Sequence, residues 1–166
     1  MKKIGVLSDT HRFLGDEMVD FLRGVDEIWH AGDVGSEEVI KRLENIAPVK
    51  AVFGNIDEGA IRFEYPEDSV FTVEDTKVYI THIGGYPGKY APRALAIIER
   101  EKPAIFISGH SHILKVMNDD KRNLLHINPG AAGKIGLHKH ITAVRFEIDG
   151  KRFAKMQVFE KVRKSL

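Results

Sequence analysis

The chain has 166 residues, of which 43% are hydrophobic and 30% charged, and its formal net charge is +1. We predict a single domain over residues 1–166, and the near-neutral charge argues against a general nucleic-acid-binding protein. The absence of cysteine excludes disulfides and thiolate ligands, so any metal must be held by nitrogen and oxygen atoms.

Strand and helix signals alternate through the first half of the chain. Short apolar runs predict buried strands at Lys3–Ser8, Glu27–His30 and Val49–Phe53. Asp16 and Ser36 are candidate N-caps for two intervening helices, and Pro48 ends the second one. Strands and helices that alternate with short joints predict right-handed crossovers and a parallel sheet.

The second half of the chain is richer in strands. Strands are predicted at Ser69–Val73, Lys77–Thr81, Ala104–Ser108, around Val116, and at Leu124–Ile127, Ile141–Ile148 and Phe153–Phe159. The turn signals Glu74-Asp75-Thr76 and Asp149-Gly150 predict two hairpins, and a helix is expected from Pro92 to Lys102. Together the patterns predict one α/β domain with two packed sheets and outer helices.

Side chains that can bind metals follow five of these strands. The residues are Asp9 and His11 after the first strand, Asp33 after the second, Asn55 after the third, His82 after Lys77–Thr81, and His110 and His112 after Ala104–Ser108. Open α/β sheets place their sites at the carboxyl ends of strands. Each of these residues taken alone is common in loops or in a protein core. Their occurrence after five separate strands predicts a metal site.

The same residues form an ordered series of motifs, namely Asp9-x-His11, Gly32-Asp33, Gly54-Asn55, His82 and Gly109-His110-x-His112. This series resembles the pattern of the calcineurin-like metallophosphoesterases, and specifically the small YfcE-like phosphodiesterase branch, across nearly the whole chain. The resemblance implies an α/β fold of four layers, an α/β/β/α sandwich with two mixed sheets packed face to face and helices outside.

The resemblance also implies two divalent metal ions. It places Asp9, His11 and His112 on one ion and Asn55, His82 and His110 on the other, with Asp33 bridging. Manganese is favoured, and nickel, iron, zinc or magnesium also fit, although four imidazoles weigh against magnesium alone. Two ions roughly 3.5–4 Å apart can clamp a phosphoryl group and supply hydroxide, so we predict a phosphoesterase that uses metal-bound hydroxide.

One motif position departs from the family. Many members carry a histidine after Gly-Asn, where this chain has Ile56, which can donate neither a proton nor a positive charge. A monoester with an alkoxide leaving group needs that help most, so the substitution favours phosphodiesters. Asn55 and Asp57 are candidate catalytic residues. For Asp57 we favour a hydrogen bond that orients a ligand over service as the acid.

Candidate substrate-binding residues flank the predicted site. Arg12 lies beside His11, while Tyr86 and Tyr90 lie in a glycine-rich loop after His82. The alternative for both tyrosines is that they pack this loop onto the core. The remaining histidines match no motif and are predicted to be packing or surface residues: His30, His126, His138 and His140.

Two functions remain open from the sequence. The favoured one is hydrolysis of a small phosphodiester or other phosphate ester, and a homo-oligomer is compatible with it. The alternative is a catalytically weak metal-binding scaffold that docks a protein partner, like the retromer subunit of the same fold. No apolar run approaches the roughly 20 residues of a membrane span, and no signal peptide is recognised. We therefore expect a cytoplasmic protein without membrane contact.

Overall fold

The computed structural model describes residues 1–164, so the last two residues of the predicted domain lie outside the described range. The elements in chain order are β1 (Lys2–Leu7), α1 (Asp16–Leu22), β2 (Glu27–His30), α2 (Glu37–Glu44), β3 (Val49–Ala51), α3 (Gly59–Glu64), β4 (Asp68–Val73), β5 (Thr76–Thr81), β6 (Gly85–Tyr86), β7 (Lys89–Tyr90), α4 (Pro92–Glu101), β8 (Ile105–Ile107), β9 (Leu114–Asp119), β10 (Leu124–Pro129), β11 (His140–Asp149) and β12 (Arg152–Val162).

Ten of the strands form two five-stranded sheets. The first has the order β12-β11-β1-β2-β3, in which β1, β2 and β3 are parallel and β11 and β12 are antiparallel additions. The second has the order β4-β5-β8-β10-β9, with β5, β8 and β10 parallel and an antiparallel strand at each edge. Both sheets are therefore mixed, as predicted.

The two sheets pack face to face because alternate side chains of each strand point to the same face of its sheet, and the apolar side chains of the two inner faces meet. Ile4 and Val6 of β1 meet Val78 and Ile80 of β5 in one buried cluster, which also contains Trp29. Such period-two alternation sends the intervening residues to the opposite face of each sheet. That outer face is covered by α1 and α2 on the first sheet and by α4 on the second, which confirms the four-layer sandwich.

Three local features differ from the sequence predictions. The helix predicted to be capped by Asp16 has Gly15 as its N-cap, and Asp16 occupies its first turn, where the helix dipole favours a carboxylate. Helix α3 was not predicted, because six residues are too few for a readable helical period. The loop after His82 contains the two-stranded ribbon β6–β7.

No helix within residues 1–164 is long and apolar enough to cross a membrane.

Candidate metal centre

All seven predicted ligand residues converge at one end of the two sheets, directly after β1, β2, β3, β5 and β8. Asp9, Asp33 and His82 are buried, and Asn55 and His110 are exposed. The centre is therefore closed by the core on one side and open to solvent on the side of Asn55 and His110.

The first group of ligand atoms belongs to Asp9, His11 and His112. The Oδ1 atom of Asp9 lies 3.2 Å from Nε2 of His112 and 3.8 Å from Nε2 of His11. One carboxylate oxygen and two imidazole nitrogens at this spacing can share a borderline divalent ion.

The second group belongs to Asp33, His82 and His110. The Oδ2 atom of Asp33 lies 3.2 Å from Nε2 of His82. The side-chain oxygen of Asn55 lies 3.1 Å from Nδ1 of His110, which adds a fourth donor atom beside this group. These donors are again one carboxylate and two imidazoles, now with an amide oxygen.

Asp33 also touches the first group, since its Oδ2 atom lies 3.4 Å from Nε2 of His11. One carboxylate oxygen thus lies between an imidazole of each group. The two groups form one continuous cluster rather than two separate sites.

Three atoms at the centre of this cluster lack a hydrogen bond. Asp9 Oδ1, His11 Nε2 and His82 Nε2 are buried and have no hydrogen-bond partner within residues 1–164. An unsatisfied buried polar group is costly. All three atoms belong to the two ligand groups, so coordination to a cation would satisfy them. The donor set and its unpaired atoms fit a bound metal.

Hydrogen bonds around the cluster hold its ligands in position. The Nδ1 atom of His82 lies 2.7 Å from the carbonyl oxygen of Ala31. A carbonyl only accepts, so Nδ1 carries the proton and leaves Nε2 free to bind a metal. Asp9 Oδ2 accepts hydrogen bonds from the Ser8 hydroxyl at 2.7 Å and the His110 backbone at 3.0 Å.

The backbone of the ligand loops is strained. Five ligand residues have left-handed φ angles: Asp9 (54°), His11 (45°), Asp33 (55°), His110 (71°) and His112 (62°). Positive φ is uncommon outside glycine and is tolerated only where the surrounding fold imposes it, as happens at functional sites.

Close contacts between neighbouring ligand loops explain why two of the motifs contain glycine. A Cβ atom at Gly54 would overlap the Asp33 carboxylate, and one at Gly109 would overlap the Ser8 hydroxyl. Glycine before Asn55 and before His110 therefore lets neighbouring ligand loops pack against each other.

The charges of the cluster reinforce one another. Burial opposes ionisation of Asp9, but the imidazoles of His11 and His112 outweigh it and hold the Asp9 pKa well below its ordinary value. Burial likewise opposes ionisation of Asp33, while His82 lowers its pKa overall. The carboxylate of Asp9 raises the pKa of His11. Both carboxylates are therefore charged at neutral pH and suited to a cation.

Asp57 is buried, and its carboxylate contacts two of the ligand loops. Its carboxylate accepts hydrogen bonds from the backbone of Val34 at 3.1 Å, Gly35 at 2.8 Å and Gly54 at 2.8 Å. These bonds connect the loop of Asp33 to the loop of Asn55. This placement supports the orienting role over the acid role for Asp57.

The three candidate substrate residues lie in different surroundings. Arg12 is exposed and lines a cleft shared with Glu37, Glu38 and Glu58. Tyr86 is 38% exposed in the ribbon. The Tyr90 hydroxyl donates to Asp119 at 2.7 Å, so this hydroxyl is occupied within the fold.

Two residues beside the centre were not assigned from the sequence. His138 is half-buried and its ring centre lies 5.0 Å from that of His112, whereas we predicted a packing or surface role. Arg62 lines a small cleft with Asn55 and His82, and its guanidinium lies 4.4 Å from the Phe53 ring centre. Neither residue stands in a motif, so no sequence signal could have indicated its position.

Comparison with known proteins agrees with this geometry. Residues 1–151 match the family model of the calcineurin-like phosphoesterase superfamily domain. A probable metallophosphoesterase of Methanothermobacter thermautotrophicus is 33% identical over 136 residues, which cover 77% of this chain and 76% of that protein.

Solved structures share the fold. A predicted phosphoesterase of Streptococcus pneumoniae superposes with a TM-score of 0.70 at 24% identity, covering 98% of this chain and 90% of its own. Zinc-bound Vps29 of Entamoeba histolytica superposes with a TM-score of 0.74 at 19% identity, covering 98% and 99% of the respective chains. The family match and the sequence relative establish that this chain belongs to the calcineurin-like phosphoesterase superfamily.

Proposed function

We propose that this protein is a binuclear metal-dependent phosphoesterase that prefers phosphodiesters. The observation that carries the proposal is the position of the Asp33 carboxylate, whose Oδ2 lies 3.4 Å from His11 and 3.2 Å from His82. A carboxylate that reaches both donor groups would offset part of the mutual repulsion of two cations held close together, as in two-metal hydrolases. Asp9, His11 and His112 would hold one ion, and Asn55, His82 and His110 the other. Manganese is the favoured metal.

Bound divalent ions would supply Lewis acidity toward the phosphoryl oxygens and lower the pKa of water. The chain's own residues would orient the substrate. The exposed Asn55 and His110 mark the side from which a phosphate ester can approach, and Arg62 places a positive charge at the adjacent cleft. A cationic group near developing negative charge stabilises the transition state.

The preference for diesters is supported by Ile56. Its side chain is apolar and 40% exposed beside Asn55, while its backbone N–H donates to Asp33 at 3.0 Å. No proton donor therefore stands at this position to assist an alkoxide leaving group. A diester, which carries a single negative charge, needs less compensation than a monoester dianion.

The test uses metal-stripped protein reconstituted with manganese, nickel, iron, zinc or magnesium. Elemental analysis is expected to find about two ions per chain, and aryl diesters should be hydrolysed faster than aryl or alkyl monoesters. Asp33→Asn is the matched inactive control. Metal binding without turnover of any ester would overturn the enzyme assignment and favour the scaffold alternative. Failure to retain metal would overturn the metal centre itself.

A further inference from the structure

A cavity of about 400 Å³ opens beside His110, on the exposed side of the metal centre. Its volume falls in the range of small-molecule sites. The side chains that define it are Ile83, Tyr86, Lys89, Ile113, Lys115 and His126, and we call it the lateral pocket. Because His110 is both a candidate ligand and a lining residue, a group bound in this pocket would adjoin the reacting phosphate.

One wall of the lateral pocket carries an unpaired hydrogen-bond acceptor. His126 is only 1% exposed, and its Nδ1 atom lies 3.1 Å from the carbonyl oxygen of Phe106. The carbonyl can only accept, so Nδ1 carries the proton and Nε2 carries the lone pair. The ring's only hydrogen bond within residues 1–164 is made by Nδ1, so Nε2 is open to a ligand. A ligand with an N–H or O–H donor would satisfy it.

Burial also keeps this acceptor neutral. It lowers the pKa of His126 to about 4, with the nearby Lys115 charge acting in the same direction. At neutral pH the ring therefore accepts rather than donates through Nε2. The acceptor role follows from the fold and does not depend on a bound metal.

The rest of the lining favours a flat group that is attached to an anion. The Lys115 ammonium lies 3.7 Å from the centre of the Tyr86 ring, and Lys89 adds a second positive charge. No carboxylate is among the lining residues. Ile83 and Ile113 are 51% and 62% exposed and offer apolar contact. Aromatic and apolar surfaces beside cations are features that bind stacked bases next to phosphate.

We propose that the lateral pocket binds the nucleobase of a nucleoside phosphodiester whose phosphate lies at the His110 side of the metal centre. The base would contact Tyr86 and Ile113 and donate an N–H to His126. This inference rests on the proposed phosphodiesterase function and adds its substrate class.

The first experiment compares two esters that share one leaving group, thymidine p-nitrophenyl phosphate and methyl p-nitrophenyl phosphate, in the metal-loaded protein. The thymidine ester is expected to have a kcat/KM at least about fivefold higher, since base stacking contributes on this scale. Tyr86→Ala should reduce that ratio toward one. Phe63→Ala is the matched control, because Phe63 is an exposed aromatic residue (91%) outside the pocket, and should keep the ratio. Equal turnover of both esters by the wild type would overturn the inference while leaving the proposed function intact.

The second experiment measures binding and therefore does not depend on turnover. AMP is expected to bind at least about fivefold more tightly than ribose phosphate, which lacks the base. His126→Phe removes the acceptor and should erase much of this difference. Tyr86→Ala, at a partly exposed position, gives the same test if the buried variant does not fold. If the protein hydrolyses no ester but binds AMP more tightly than ribose phosphate, the phosphodiesterase function is rejected and the base-binding role of the lateral pocket is retained. Equal binding of AMP and ribose phosphate would reject the pocket.

Discussion

The Nδ1 atom of His138 lies 3.2 Å from Nδ1 of His112, whose other nitrogen, Nε2, lies 3.2 Å from Asp9. The Nε2 atom of His138 lies 2.8 Å from the carbonyl oxygen of Gly133 and must donate to it. With burial lowering the pKa of His138, its ring is neutral and its Nδ1 accepts from His112. His112 is thereby held with Nε2 free to bind a metal.

Replacing His138 should therefore weaken metal binding without removing a ligand. We expect His138→Phe to reduce metal affinity about 10–100-fold, the usual effect of losing a hydrogen bond behind a metal ligand. Competition against a chelating dye measures this directly. His140→Phe is the control, because the His140 side chain is 47% exposed, lies 3.5 Å from Glu160 and belongs to neither ligand group. Equal metal affinities in the two variants would show that His138 does not orient His112.

Asp33→Asn is expected to reduce turnover and metal content more than Asp9→Asn. The Oδ2 atom of Asp33 lies 3.4 Å from His11 and 3.2 Å from His82, one imidazole of each ligand group, so its loss should disturb both groups. Asp9 approaches the second group less closely, since its Oδ1 atom lies 3.8 Å from His82. Elemental analysis and diester turnover are measured for both variants side by side. Near-normal metal content and turnover in Asp33→Asn would contradict the bridging role.

Installing a histidine at position 56 should broaden the substrate range. Ile56→His is expected to raise alkyl monoester turnover selectively, because general acid catalysis contributes about 10²–10⁴-fold when well placed. Ile56→Gln is the control, a polar side chain that cannot act as an acid. Aryl diester, aryl monoester and alkyl monoester are compared in each protein. Efficient alkyl monoester hydrolysis by the wild type, unchanged by the histidine, would mean that another residue already supplies the proton.

Asp57 should contribute to the integrity of the site rather than to proton transfer. In Asp57→Asn an amide group replaces one carboxylate oxygen that accepts backbone N–H bonds, so we expect about 2 kcal/mol less free energy of unfolding and weaker metal binding. Denaturant unfolding is compared with Glu58→Gln, which changes the adjacent exposed carboxylate. Unchanged stability and metal affinity, together with a selective loss of alkyl ester turnover, would instead identify Asp57 as the acid.

His126 should make the metal-free protein less stable in mild acid. Its folded pKa is about 4, below the unfolded value near 6.5. Unfolding therefore takes up a proton between these values, and the stability that His126 contributes is lost as pH falls through this window. Relative to His126→Gln, the wild type should lose roughly 2 kcal/mol between pH 7 and pH 5. The titrations of groups common to both proteins cancel in this comparison. A difference in free energy of unfolding between the two proteins that does not change with pH would contradict a neutral, buried His126 ring.

The layer architecture and the position of each ligand along the chain were predictable from sequence. The segments that contain Ile4 and Val6, or Val78 and Ile80, are short apolar runs, and this local pattern predicts a buried strand whatever lies across from it. The ligands follow these strands immediately, as Asp33 follows β2, so their common location follows from the parallel order of the strands. Helix α3 and the β6–β7 ribbon were too short to leave such a pattern.

Only the tertiary structure decided which distant side chains stand beside the ligands. His138 is 26 residues from His112 and contacts it from the loop between β10 and β11. His126 and Tyr86 line one pocket because β10 lies next to β8 while the ribbon follows β5. The physical reason is that periodicity reports on contacts within one element. Contacts between elements depend on strand order and loop path, which are set by the packing of the whole core.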